Sequence, residues 1–146
     1  MARTVGDCVN RALQHLSEYI GGETAATEDS AVAVSAFNGL VDGWFAAGLV
    51  PVDDETLAAA SQTALVEGTV YTTSSAFPLL TRHFEGVSAW LAVMLADTFE
   101  AQLKPAVVAA ATMGEQRIYA AFMPSMVSTL DRALRRLPET ILWPSQ

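Results

Sequence analysis

Apolar residues recur every three or four positions in the stretch 30–51, which is the spacing of a helix with one buried face. Gly48 occupies the place of a left-handed helix cap, and Pro51 prevents the helix from continuing. Thr27 precedes two acidic residues and is expected to cap the start. Trp44 is expected to anchor the helix in the core. The apolar positions are Ala33, Val34, Phe37, Leu40, Val41 and Trp44.

Asn38 lies one step from this apolar face, in the middle of the predicted helix. It fits a solvated position at the edge of the face. It also fits a buried amide that hydrogen-bonds the backbone of a connecting loop and so fixes that loop, because buried polar groups require partners.

A first helix is predicted from Thr4, where Asp7 completes a capping-box pattern, to Gly21-Gly22. It should pack antiparallel to the second helix, because the connection between them is short. Its predicted buried positions are Val5, Val9, Ala12, Leu13, Leu16 and Ile20.

A third helix is predicted from about Thr81 to Glu100, and its stretch 87–96 is apolar on nearly every side. Such a helix is usually surrounded by other elements. A fourth helix begins at Pro105, and the alanines at 109–111 and 120–121 allow close helix approach. Its apolar positions are Val107, Val108, Ala111, Ile118 and Phe122.

The segment between helices two and three, from Val52 to Leu79, lacks a regular pattern. The acidic run 53–55 is able to begin a short helix through Ala60. The stretch 63–72 reads as a weak hairpin that turns at Glu67-Gly68, followed by a loop at 72–75. A projecting binding loop and a simple surface coil are both compatible with this irregular segment.

A shorter fifth helix is predicted over residues 125–137, and an extended apolar tail follows over 139–146. The predicted fold is therefore all-α. It is an antiparallel bundle of four main helices with a C-terminal helix and tail. The expected organisation is a helical domain over 1–124, with the C-terminal helix and arm over 125–146.

Hydrophobic residues make up 51% of the chain and charged residues only 16%. This charge content is low for a lone monomer, so part of the surface is expected to be covered by other subunits. The net charge of −8 is uneven: ten acidic and two basic residues lie before Gly68, whereas six of each follow. The acidic half argues against phosphate-backbone binding as the main role.

No pattern typical of enzyme chemistry is found. Cys8 is the only cysteine, so no intramolecular disulfide is possible, and two histidines are too few for a zinc site. We therefore expect no catalytic, cofactor-binding or metal site. No apolar signal segment is seen at the start, and the run 87–96 is too short to span a bilayer, so a cytosolic origin without membrane contact is expected.

The pattern Asn38-x-Leu40-Val41-x-x-Trp44-x-x-x-Gly48-Leu49 resembles the second-helix signature of the head-to-tail adaptor (connector) proteins of tailed bacteriophages. The resemblance runs from Thr4 to Phe122 and includes the third-helix pattern of Leu and Ala that ends at Phe99. Many relatives have a glycine where this chain has Glu100, and neither the segment between helices two and three nor the residues beyond Pro124 match any part of the family.

The resemblance implies a structural virion protein, made in the host cytoplasm and located at the head-to-tail junction. Such proteins form a ring with copies of themselves, usually twelve, beneath the portal protein. They extend the channel through which DNA passes without sequence-specific binding, and they carry the tail or nozzle protein. Two alternatives remain open at this point, a DNA-packaging component and a small regulatory dimer.

Two groups of residues follow as predictions. The structural core is expected to include Phe37, Asn38, Trp44, Gly48, Trp90, Leu91 and Leu95. The arginines of the fifth helix and the tail are predicted to bind a partner, because a basic helix end and an extended apolar segment are common docking elements. These residues are Arg132, Arg135, Arg136, Leu137, Ile141, Leu142 and Trp143.

Overall fold

The computed structural model describes residues 3–16, 26–49 and 65–122, and every regular element in these ranges is helical. The all-α prediction is therefore confirmed for the described part of the chain. The helices are α1 (Val5–His15), α2 (Thr27–Ala46), α3 (Phe84–Leu95) and α4 (Pro105–Phe122), with a 3₁₀ turn at Thr81–His83 before α3. The predicted helix near 53–60, the fifth helix and the tail lie outside the described residues.

The start of α1 has the predicted capping box. The Thr4 hydroxyl accepts a hydrogen bond from the Asp7 N–H at 3.1 Å, and the Asp7 carboxylate accepts one from the Thr4 N–H at 2.8 Å. Thr4 is thus the cap, and the helix itself begins at Val5. The predicted apolar face is buried at Val5, Val9, Ala12, Leu13 and Leu16.

Helix α2 has the predicted C-terminus but not the predicted N-terminus. Gly48 is left-handed, with φ +74, and the Leu49 N–H donates to the Trp44 carbonyl at 2.9 Å, which is the bond pattern of a glycine-ended helix. The cap at the start is Ala26, so the prediction for Thr27 is wrong, and Thr27 is the first helical residue. The acidic residues in the first turn complement the helix dipole without a hydroxyl cap.

Helix α3 lies at the centre of the described structure and packs against α1, α2 and α4. This agrees with its nearly all-round apolar pattern. It ends at Leu95, five residues before the predicted end, and the chain continues in turns to Glu100. Asp97 and Thr98 favour such turns, because their side chains compete for backbone hydrogen bonds. Glu100 is left-handed, with φ +49.

Two glycines bring α3 and α4 into backbone contact. A Cβ placed on Gly114 would lie 2.5 Å from the Cα of Gly86, and one placed on Gly86 would lie 2.6 Å from the Cα of Gly114. The close approach was predicted at the alanines, and this holds in part: Ala111 is buried and Ala110 and Ala121 pack against the core, whereas Ala109 and Ala120 are exposed. Val108 is also 45% exposed, whereas the adjacent Val107 is buried.

The predicted hairpin is absent from the described part of its range, residues 65–72. The turn itself is present: Gly68 has φ +77, and the Thr69 N–H donates to the Val66 carbonyl at 3.2 Å. No ladder forms around it in this range, because Tyr71 bonds to α2 instead of a partner strand. Val66 and Val70, which are loosely spaced around the turn, remain largely exposed.

Candidate functional site

The Asn38 side chain holds the backbone of Tyr71. Its amide nitrogen donates to the Tyr71 carbonyl at 3.0 Å, and its amide oxygen accepts from the Tyr71 N–H at 2.8 Å. The amide nitrogen also donates to Val34 O, one turn back on α2, at 3.0 Å. Of the two interpretations of Asn38, the hydrogen bond that fixes a connecting loop is confirmed. The Tyr71 ring packs edge-on against Phe37, with ring centroids 5.8 Å apart.

The loop that follows Tyr71 is docked on the start of α1. The Val5 N–H donates to the Ser75 carbonyl and the Gly6 N–H to the Thr73 carbonyl, both at 2.9 Å. Together with the capping box, these bonds satisfy the free N–H groups of the first turn of α1. A Cβ on Gly6 would lie 2.7 Å from the Thr73 carbonyl oxygen, so this approach requires glycine. The loop at 72–77 is therefore a fixed part of the fold and does not project.

Three basic side chains converge on Glu85 and join α1 to α3. Arg11 Nε lies 3.2 Å from its carboxylate, an Arg3 guanidinium nitrogen 3.8 Å and His15 Nε2 3.9 Å. Burial, and then the Arg11 charge, lower the pKa of His15 against the opposing effect of Glu85. His15 is therefore neutral at pH 7. The Glu85 side chain is 58% exposed, so this cluster contributes little to stability.

A basic groove lies where the 3₁₀ turn meets α4. A cavity of about 390 Å³ is lined by Arg82, His83, Arg117, Ala120 and Ala121. An adjoining cavity of about 220 Å³ lies at the glycine crossing, the contact between Gly86 of α3 and Gly114 of α4. It is lined by Arg82, His83, Glu85, Gly86, Ala110, Met113, Gly114 and Arg117. The close approach of α3 and α4 at the glycines brings the two arginines, 35 residues apart in sequence, to the same groove.

His83 forms the neutral floor of this groove. Burial lowers its pKa, and the charges of Arg82 and Arg117 lower it further. The imidazole therefore accepts a hydrogen bond from Arg82 Nε, at 3.2 Å. Two guanidinium groups over a neutral imidazole form an environment that favours a carboxylate. Among the described residues the groove is the one place where arginines gather without an ion pair, since all described pairs involve Glu85.

Two outward helix faces are unusually poor in charge. On α4, only Arg117 is charged among the exposed positions, which are Pro105, Ala106, Val108, Ala109, Thr112, Met113, Gln116, Arg117 and Ala120. On α2, Glu28 and Asp42 are the charged residues among the exposed positions, which are Thr27, Glu28, Ala31, Val32, Ser35, Gly39, Asp42, Gly43 and Ala46. Exposed helix faces of this kind are typical of surfaces that contact other proteins.

No arrangement suited to covalent or metal chemistry occurs in the ranges that the structure describes. Burial is the main cause that raises the pKa of the Cys8 thiol to about 12, so the thiol stays protonated and is a poor nucleophile. No group of three or more His, Cys, Asp or Glu side chains in these ranges is placed to hold a metal ion.

Of the two predicted groups of residues, the structural core and the partner-binding residues, the structure describes only the core. Of the predicted core, Phe37, Trp44, Leu91 and Leu95 are buried. Trp90 and Asn38 are half-buried, with the Trp90 ring centroid 5.9 Å from that of Trp44, and Gly48 is exposed in its turn. The predicted partner-binding residues all follow residue 122 and lie outside the described ranges.

Sequence analysis did not identify the glycine crossing or the basic groove. Gly86 and Gly114 are single glycines inside otherwise apolar helices, and such glycines often mark close packing, so this signal was available. Arg82 and Arg117 are isolated in sequence, and no local pattern indicates that they meet.

No known protein family matches the sequence, and no curated protein matches it. Within the described ranges, none of the helices has the length and apolar character needed to cross a bilayer.

Proposed function

We propose that this chain is a head-to-tail adaptor of a tailed bacteriophage, a structural virion protein without enzymatic activity. It would form a ring with copies of itself beneath the portal protein, extend the DNA channel and carry the tail or nozzle protein. DNA passes through the channel without sequence-specific binding. The protein is then located in the virion, at the junction of head and tail.

The observation that carries this proposal is the Asn38 clamp, by which we mean the two hydrogen bonds from the Asn38 side chain to the Tyr71 backbone. The most specific part of the resemblance is the short pattern from Asn38 to Leu49, and each named position of that pattern has a distinct structural role. Asn38 fixes the loop, and Gly48 turns the chain while Leu49 closes the helix end. The apolar members, Leu40, Val41 and Trp44, are buried. A pattern whose positions each have such a role is a stronger signature than apolar spacing alone.

The charge-poor outward faces of α2 and α4 support a ring-forming subunit. A subunit in a ring covers two different faces against its neighbours, which lowers the need for surface charge. In this proposal the helices form an antiparallel bundle, with the fifth helix and the C-terminal arm added to it. The arginines at 132, 135 and 136, and the tail from Ile141 to Trp143, would then contact the portal or a neighbouring subunit.

The proposal is tested by measuring the mass of the purified protein by light scattering, with and without a portal protein from the same phage. We expect weak self-association alone and a discrete ring-sized complex with the portal. A stable dimer that is unchanged by the portal would contradict the proposal and favour a small regulatory protein. Electron micrographs of the mixture provide the second readout, a ring seen coaxial with the portal.

A further inference from the structure

The outward face of α4 is apolar, and nothing in the described part of the chain covers it. Val108 is 45% exposed and Met113, which also borders the cavity at the α3–α4 contact, is 52% exposed. Large side chains left in water on a nearly uncharged helix face indicate a surface that is covered by another molecule. Arg117 lies at one end of this face, beside the groove that Arg82 also lines.

The outward face of α2 carries two glycines. Gly39 and Gly43 lie one turn apart on this face, and a Cβ added to either would meet nothing within 4 Å. Glycine destabilises a helix interior relative to alanine, and no contact among the described residues requires glycine at these two positions. A second helix lying closely against this face would explain both glycines, because missing side chains allow close backbone approach.

The charges of the two faces are complementary. Asp42 lies between the two glycines in the sequence of α2, and Glu28 lies further along the same face, whereas Arg117 is the charged residue among the exposed positions of α4. None of these groups takes part in the described ion pairs, which all involve Glu85. The same asymmetry appears along the chain, since its net charge of −8 arises before Gly68. A second copy of this chain therefore carries the surface that the α4 face requires.

Helices α2 and α4 each pack against α3 and not closely against each other, so their outward faces are separate surfaces of one subunit. A contact between unlike faces is heterologous, and it produces a ring or a filament rather than a closed dimer.

We propose that the outward face of α4 in one copy docks on the outward face of α2 in the next copy. Met113 lies against Gly39 and Gly43, and Arg117 pairs with Asp42. This inference rests on the proposed function, since it names the surface through which the ring subunits meet.

Cysteine cross-linking tests the contact. Gly43→Cys and Met113→Cys are made in separate chains and also together in one chain, and each is treated with a short bis-maleimide at neutral pH. Both positions are open to solvent, so neither change disturbs the subunit. The native Cys8 is fully buried and does not react, so the unmodified protein is the blank.

We expect the mixture of the two single variants to give a covalent dimer, and the double variant to give a ladder of larger products. Neither single variant should cross-link to itself. Ser74→Cys, an exposed position on the loop against α1, is the matched control, and its mixture with Met113→Cys should give no product. Arg117→Asp should lower the yield about tenfold, and Asp42→Arg in the partner chain should restore it.

A covalent dimer of Met113→Cys alone would overturn the proposal, because it requires like faces to meet. So would the absence of any ladder from the double variant, alone and with the portal added. Portal binding is measured separately by light scattering. A ladder of cross-linked products without portal binding supports the proposed interface and contradicts the adaptor role. Portal binding without a ladder contradicts the interface and not the adaptor role.

Discussion

Replacement of Gly114 by alanine should destabilise the protein, because the added Cβ has no room. It would lie 2.5 Å from the Cα of Gly86 and 2.7 Å from the carbonyl carbon and oxygen of the same residue. Ordinary contacts of this kind begin near 3.4 Å. The obstructing atoms are backbone, so α3 and α4 must separate by roughly 1 Å. A gap of that size removes about a quarter to a half of the dispersion energy of the affected contacts.

The magnitude follows from the side chains at this interface. Val107, Ala111, Ile118 and Phe122 are buried on α4, and a large apolar side chain contributes about 1.5–3 kcal/mol by burial. Loss of roughly a quarter of that contribution across the interface, with strain typical of overpacked cores, costs about 2–3 kcal/mol. The better helix propensity of alanine offsets about 0.5–1 kcal/mol of this loss in stability. We expect a net loss of about 2 kcal/mol in the free energy of unfolding, or about 4–8 °C in Tm.

Thermal and urea unfolding, followed by circular dichroism, measure this change. Gly39→Ala is the matched control, because it also lies inside a helix but an added Cβ there meets nothing within 4 Å. The control should gain about 0.5–1 kcal/mol in the isolated subunit. If Gly114→Ala and Gly39→Ala shift the melting temperature equally, the close crossing of α3 and α4 does not exist.

Four further predictions concern other parts of the chain. Trp44→Ala should cost about 3–5 kcal/mol, since the side chain is 3% exposed, and unchanged thermal stability would contradict its place in the core. Asn38→Ala removes both side-chain hydrogen bonds to the Tyr71 backbone and should cost about 2–4 kcal/mol, with faster amide exchange at Tyr71; protection as in the unmodified protein would argue against the clamp. Glu100→Gly should raise stability by about 1 kcal/mol, because residue 100 is left-handed, and a lower midpoint of urea unfolding would refute this. A chain truncated after Pro138 should melt normally but fail to assemble on the portal; a lower melting temperature or full assembly would mean that the tail is not a docking arm.

Local signals predicted the helices where one short stretch determines the outcome. The Thr4 capping box, the left-handed Gly48 and the first-turn Pro105 each act within a few residues, and each is found as predicted. The end of α3 was misplaced because an apolar pattern continues to Phe99 while Asp97 and Thr98 favour turns. The hairpin was wrong because Tyr71 bonds to a side chain 33 residues away, which no local pattern contains.

The candidate site was less predictable than the helices. Arg82 and Arg117 meet only because Gly86 and Gly114 allow two helices to touch, and a single sequence does not indicate which helices pair. The Asn38 bond was foreseen as one of two interpretations, since a polar residue beside a buried face requires a partner. The identity of that partner required the tertiary structure.

The docking of residues 73–77 on α1 has a consequence for how the chain folds during synthesis. The first turn of α1 receives two of its hydrogen bonds from carbonyls that lie about 70 residues later in the chain. The Asn38 amide likewise has no loop to bind until Tyr71 has left the ribosome. The pair α1 and α2 is thus not an independent folding unit, and the nascent protein completes its N-terminal helix only after most of its central segment has been translated. Contacts so distant in sequence slow folding, so this small helical protein should fold more slowly than a bundle built from neighbouring helices alone.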